Sequence, residues 1–321
     1  MDIKQVDPEW CWAPYRPSAE TAWDRQAAAH LYRRSGFAAT VGELDRAVGM
    51  EPGELAHELV FSHREPESFR HQMQDMVDAM IATGDATRLA AAWLYRMLKT
   101  PNQLQEKTTL FWHGHFATSA EKVTDPIMMQ QQNDLLRTHS TGSFQEMVQA
   151  ISSDPAMLIY LDSANNRKTH PNENFAREVM ELFCLGEGHY SEQDIRELAR
   201  CFTGWEVRNR RFRFNRYQHD FGSKTILGRT AEFSGEQAVE QVLQQPVAAS
   251  FIAAKLVNFF VFDEPAVPAG LVEPLAAQLR EDDFQLARTL EMIFSGNLFY
   301  SPFSRRRKIR SPVELMVGLL R

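Results

Sequence analysis

Ten side chains capable of catalytic or metal-binding chemistry crowd between Asp162 and Glu181: Asp162, Asn165, Asn166, His170, Asn172, Glu173, Asn174, Arg177, Glu178 and Glu181. Carboxylates and amides offer oxygen ligands to a divalent cation, and imidazoles offer nitrogen. A guanidinium can clamp an anionic substrate group through paired hydrogen bonds. That mixture points to a divalent-metal site or a polar acid–base pocket with hydrolytic or lyase-like chemistry. Ordinary helix-to-helix connections are short and carry far fewer such groups.

Placed on a helical wheel, Phe175, Val179, Leu182 and Phe183 gather on one face, which predicts the core face of a helix over Glu173 to Leu185. Asn174, Glu178 and Glu181 form a second stripe beside it. A carboxylate on the margin of a core needs a partner. Arg177, Lys168 or a loop amide would serve structurally, and a metal ion would serve chemically. Upstream, His113 and His115 flank Gly114 in WHGHF. On a helix they point ~200° apart, so one is expected to face the polar loop and the other to be buried beside Trp112. Adjacent His219 and Asp220 would be one inward and one outward residue if extended, the inward one within reach of the loop.

If these groups converge, His113, His115, Glu178 and Glu181 are the candidate metal ligands. His115, Arg177, Glu178, His219 and Asp220 are the candidate catalytic set. Asp162, Asn165, His170, Asn172, Glu173 and Asn174 complete the pocket. If they do not converge, the chain is a non-catalytic scaffold whose amides tie a loop through local hydrogen bonds. A haem or redox pocket with a histidine axial ligand is a third reading. The run from Asp162 to Asn166 lacks the glycine and spaced acidic ligands of an EF-hand loop. No G-x-S-x-G elbow, H-E-x-x-H, phosphate loop or dinucleotide fingerprint occurs.

The elements that must hold these groups are mostly helices. Apolar spacing and stop signals predict helices over Ala19–Ser35, Thr40–Val48 and Glu51–Phe61, then over Glu67–Lys99 with a break near Gly84. Others follow over Asn102–Thr118, Pro126–Thr138, Ser143–Ser152 and Ala156–Asp162. Asn172 is expected to cap the next helix and Gly186 to end it. Ser191 with Asp194, and Ser311-Pro312 with Glu314, carry capping-box spacing. Between Val207 and Phe214 the period becomes that of a strand, which predicts a hairpin, with a short strand from Lys224 to Leu227. Helices resume over Gly235–Leu243, Pro246–Phe262, Ala269–Arg280 and Phe284–Ser295. The fold class is therefore mainly α, a single multi-helix domain over 1–321 with a small β insert near 206–228. The last helix runs to Arg321 with no stop signal.

An apolar share of 44% in 321 residues suffices for a large core. The net charge of −7 argues against a general nucleic-acid binder, which needs a basic surface. Cys11, Cys184 and Cys201 form no disulfide framework. The N-terminus lacks the apolar run of a signal peptide, and no stretch approaches the ~20 apolar residues that span a bilayer. A reducing cytoplasm is the simplest compartment for such a chain.

The runs LFWHGHFATS (Leu110 to Ser119), HPNENFAREVMELFCLG, SEQDIRELARCFTGW, HDFGSKTILG (His219 to Gly228) and KIRSPVELMVGLLR resemble, in order, the bacterial family catalogued as domain of unknown function 1800. The likeness begins near Ala29 and covers 29–321. It implies no settled activity. It does imply a protein partner, since such proteins are often encoded beside a second, sulfatase-like family. Many of these relatives carry an export signal and continue past the PVEL helix, so this C-terminus is expected to be shortened relative to the family.

Overall fold

Local capping chemistry sets most of the helix starts. The computed structural model describes residues 3–62 and 65–321, and the chain is 61% helical. Asp24 accepts a hydrogen bond from the Ala27 N–H at 2.8 Å, so the first long helix runs Arg25–Ser35 and not from Ala19. Thr40, Ser191, Ser234 and Ser311 each form a reciprocal capping box with the residue three positions on. Such caps satisfy backbone donors that have no partner within the helix. The long segment after Glu67 breaks into Glu67–Ile81 and Leu89–Lys99, with Gly84 at φ +73 between them.

The helix Gln103–His115 carries the WHGHF motif, with Trp112 and Phe116 in the core and Gly114 at the surface. Trp112 is wholly buried and donates through Nε1 to the Ser140 carbonyl at 2.8 Å. Beneath it, the buried Glu106 carboxylate receives Trp93 Nε1 at 2.8 Å, Arg96 Nε at 2.9 Å and Arg137 Nε at 2.6 Å. The same helix anchors Pro312–Leu320 through a buried Lys107–Glu314 ion pair. Arg321 Nη1 adds contacts to the Met97, Leu98 and Thr100 carbonyls at 3.0, 2.9 and 3.1 Å. One face of that last helix is thus pinned, while Leu315, Met316, Leu319 and Leu320 lie exposed.

One cluster of buried apolar side chains runs from Ile3 to Tyr300 and includes all three cysteines, each a free thiol. Fully burying a Leu, Ile, Phe or Met side chain is worth about 1.5–3 kcal/mol, so this cluster dominates cohesion.

The β insert is larger than its periodicity announces. Strand β1 (Trp205–Arg208) pairs antiparallel with β2 (Arg211–Phe214), as expected. Strand β3 (Lys224–Ile226) finds a partner missed in the sequence, β4 (Arg229–Ala231), across a turn at Leu227 and Gly228. Three-residue strands are too short to show a period. The two hairpins form separate two-stranded sheets spanning 205–231. Among the described residues no helix is long and apolar enough to cross a membrane.

Candidate functional site

The Asn-rich loop is held from within by its own amides. Asn166 is wholly buried; its Nδ2 donates to the Ala199 carbonyl at 2.9 Å and its Oδ1 accepts the Asn172 N–H at 3.0 Å. The Asn166 carbonyl accepts the Gly204 N–H at 2.9 Å. Asn172 accepts the Asn174 N–H at 3.0 Å and donates to the Asp162 carbonyl at 3.1 Å; it stands one residue before the N-cap position of the following helix, which is Glu173. Asp162 sits at φ 57, a left-handed conformation that aspartate tolerates, and its carboxylate takes Lys122 Nζ at 2.8 Å. Asn165 and His170 are exposed.

The loop also grips the β insert. The Lys168 N–H donates to the Gln218 carbonyl at 2.9 Å, and Arg167 reaches Glu206 at 3.2 Å. Gly204 completes the junction at φ +80, where an added Cβ would lie 2.5 Å from the Asn215 carbonyl oxygen. Only glycine fits such a position.

After the loop, the helix Asn174–Glu178 passes into a π-helical turn, Val179–Cys184. The wider turn adds a residue and changes the phase of the face. Phe175, Val179 and Phe183 are buried as the wheel predicts, joined by Met180, Cys184 and Leu185, but Leu182 is 49% exposed. That assignment of Leu182 to the core is corrected by the π turn. Arg177 is bound bidentately by Glu192 at 2.8 Å on both nitrogens and more loosely by Glu173 at 3.5 Å. Glu181 accepts from the Tyr190 hydroxyl at 2.8 Å. Glu178 is partly buried and makes no ion pair among the described residues. Burial first, and the neighbouring Glu181 charge second, push its carboxyl above the ordinary range.

His113 and His115 point to different sides of their helix. His113 stands edge-on to Trp93 at 5.1 Å and lines a cavity with Thr118, Ser119 and Met129. His115 is ringed by Trp112, Phe116, Phe144 and Phe183. Its Nε2 donates to the Phe183 carbonyl at 3.0 Å. Because a carbonyl only accepts, Nε2 carries the proton and Nδ1 is an acceptor. Burial, assisted by the nearby Lys255 charge, pushes the imidazolium pKa down to about 3.

His219 is the inward residue of the pair, although it follows a turn and lies outside any strand: it is buried, with Nδ1 donating to the Thr203 carbonyl at 2.8 Å. Asp220 accepts from Arg200 Nε at 2.8 Å and from the Gly222 N–H at 2.8 Å. The Arg200 guanidinium holds its carboxyl below the usual range. Buried Lys224 donates to the Asp220 and Phe233 carbonyls at 2.6 and 3.0 Å, fastening β3 to the same corner.

The candidate residues therefore occupy separate places. The loop, His219 and Asp220 share one hydrogen-bonded corner. Glu178 and Glu181 edge a helix with Tyr190, His113 faces one cavity and His115 another. Among the described residues, no group of three or more His, Cys, Asp or Glu side chains is arranged to hold a metal ion.

What sequence reading missed lies around His115. Leu110, Phe111, Gly114 and His115 line an open cavity of about 500 Å³ with Lys255, Asn258, Phe259, Asp263 and Lys308. Lone lysines and aspartates on distant segments carry no spacing signal. The one hint was that LFWHGHF and KIRSPVEL, both family-like runs, contribute to a single groove.

No curated protein and no solved structure matches the chain. A family model described as a protein of unknown function, DUF1800, matches residues 30–321, and the chain belongs to that family.

Proposed function

We propose that this chain is a helical scaffold that presents its arginine-rich β insert to an acidic protein partner. One observation carries the reading. Arg208, Arg211, Arg213 and Arg216 are exposed and make no ion pair or side-chain hydrogen bond among the described residues. Exposed Tyr217, Phe221 and Phe214 (78%, 58% and 47%) are interleaved with them. Beneath this surface, the Asn166 loop, His219, Asp220 and Lys224 clamp the insert to the helical body, so the polar loop serves as a mount.

The hairpin accepts local costs for this display. Arg208 and Arg211 lie directly opposite each other across the strands, a like-charge pairing that weakens a hairpin. Its two-residue turn places Asn209 and Arg210 at φ 52 and 61. Glycine is preferred at the second position, and an L-residue there costs about 1–2 kcal/mol. Arg210 offsets part of that through its ion pair with Asp125. Bound carboxylates would relieve the Arg208–Arg211 repulsion. An acidic protein is favoured over a phosphate polymer because the basic surface is one local patch on a chain of net charge −7, enough to pair with a few carboxylates but not to replace the counterions along a nucleic-acid backbone. The family resemblance suggests the product of the sulfatase-like neighbour as the partner to try first.

The test compares wild type with Arg208→Ser/Arg211→Ser/Arg213→Ser for binding to a poly-glutamate peptide and to a single-stranded oligonucleotide at two salt concentrations. The reading expects peptide binding that weakens with salt and is lost in the triple variant, whose melting temperature is unchanged or raised. Tighter binding of the oligonucleotide would replace the acidic protein with nucleic acid. No binding of either, or binding indifferent to the substitutions, would end the reading.

A further inference from the structure

We propose that the groove beside His115 is a binding site for a small anionic molecule carrying a hydroxyl next to its negative group. Three features of the groove point the same way. The first is an unspent acceptor. His115 Nδ1 is buried and has no hydrogen-bond partner among the described residues, while Nε2 is occupied by the Phe183 carbonyl at 3.0 Å. A buried polar atom without a partner is unfavourable unless something supplies one. Since Nδ1 is an acceptor, the missing partner is a donor; Nδ1 itself is covered, so a ligand hydroxyl in the groove that His115 lines reaches it as the imidazole or the groove wall shifts on binding.

The second is an uncompensated cation. Lys255 lines the same groove, lies 4.7 Å from the Phe251 ring centroid, and makes no ion pair among the described residues. Lys308, the other lysine of the groove, is neutralised by Asp263, which also accepts the Ile309 N–H at 2.7 Å. One net positive charge therefore faces the cavity, with Phe111 and Phe259 as apolar walls.

The third is a glycine that the backbone does not require. Gly114 lies within the helix Gln103–His115, where glycine is disfavoured. Its φ is not positive, and an added Cβ would meet nothing within 4 Å. A side chain there would project into open space beside the groove. The absent side chain keeps the groove about 500 Å³ in volume, room for a small molecule. This site is far in sequence from the arginine-rich hairpin and does not depend on it.

Thermal shift and calorimetry on the whole chain would use malate, succinate and glycerol 3-phosphate as probes. Malate and succinate differ by one hydroxyl, so their ratio reads the His115 acceptor. Glycerol 3-phosphate tells a phosphate from a carboxylate as the anion. Malate or glycerol 3-phosphate should bind at least on the order of tenfold more tightly than succinate. Gly114→Leu should abolish binding while leaving the fold intact, and Lys255→Gln should weaken every probe. Equal affinity for malate and succinate would overturn the hydroxyl–His115 contact. Binding that survives Gly114→Leu, or no binding by any probe, would overturn the site.

Discussion

The corner built on Asn166 and the groove beside His115 treat polar atoms in opposite ways. In the corner, many polar side chains lie close together and nearly all are spent on one another: Asn166 on Ala199 and Asn172, His219 on Thr203, Asp220 on Arg200. In the groove there are few, but His115 Nδ1 and Lys255 have no such partner among the described residues. The glycines repeat the contrast. Gly204 is demanded by a positive φ and a carbonyl 2.5 Å from any Cβ, whereas nothing around Gly114 demands glycine. A dense polar motif can thus be architecture, and a site is better recognised by polar atoms the fold leaves unsatisfied.

The largest effect should come from breaking the corner at its glycine. Gly204→Ala is expected to destabilise by roughly 3 kcal/mol or more, because it combines a left-handed backbone with a clash against backbone that cannot retreat. A urea melt within about 0.5 kcal/mol of wild type would show that the corner is not a rigid mount.

Acid should act next, in part through the groove. His115 in the groove, and His30, buried elsewhere with Nε2 on the Phe299 carbonyl at 2.9 Å, are both held by burial to about 3, below the ordinary 6.5. Above pH 6.5 both are neutral whether folded or unfolded, and their full contribution is present. As pH falls from 6.5 towards 3, the unfolded chain takes up protons that the folded chain refuses, so stability drops. Asp154 opposes this: burial raises its carboxyl from 3.8 to about 6, so the folded chain binds the extra proton between those values. Two histidines outweigh one carboxyl, and the net loss between pH 7 and 5 should be roughly 1–3 kcal/mol. Melts that are flat across this range would contradict a buried, neutral His115.

Smaller still is the mirror of the first substitution. Gly114→Ala should stabilise by about 0.5–1 kcal/mol, the helix-propensity difference in a position with free space. Destabilisation would mean that the glycine serves the packing, and the contrast between the two glycines would fail.

Smallest is Glu178→Gln. Pairing with Arg177 would make Glu178 costly to remove, but Arg177 is taken by Glu192 and Glu173. With its carboxyl raised by burial and by Glu181, ionised Glu178 is mildly unfavourable in the folded chain above its unfolded pKa. The amide should be neutral or stabilising by no more than about 0.5 kcal/mol at neutral pH, after allowing for solvent screening. The same melts, run with chelator and with added divalent ions, test the metal reading. Chelator sensitivity lost in the variant would restore Glu178 as a ligand.

Much was legible in the chain alone because it rests on contacts within four residues. Ser191 with Asp194 and Ser311 with Glu314 cap their helices wherever those helices go. The change of period at Val207 marks a hairpin for the same local reason. The separation of His113 from His115 follows from helix geometry, and the family follows from motifs read in order. Other features needed the tertiary structure. The π turn that exposes Leu182 has no signature in apolar spacing, since a single extra residue shifts the phase only where packing holds the helix on both sides. The joining of the Asp162–Asn174 loop to the helix Glu192–Cys201 and to the β insert depends on backbone carbonyls at Ala199 and Gln218, which no side-chain pattern encodes. His115, Lys255 and Lys308 are brought to one cavity by packing across nearly two hundred residues of sequence. Residue types determine what each group can do, and long-range packing decides which of them are left with something to do.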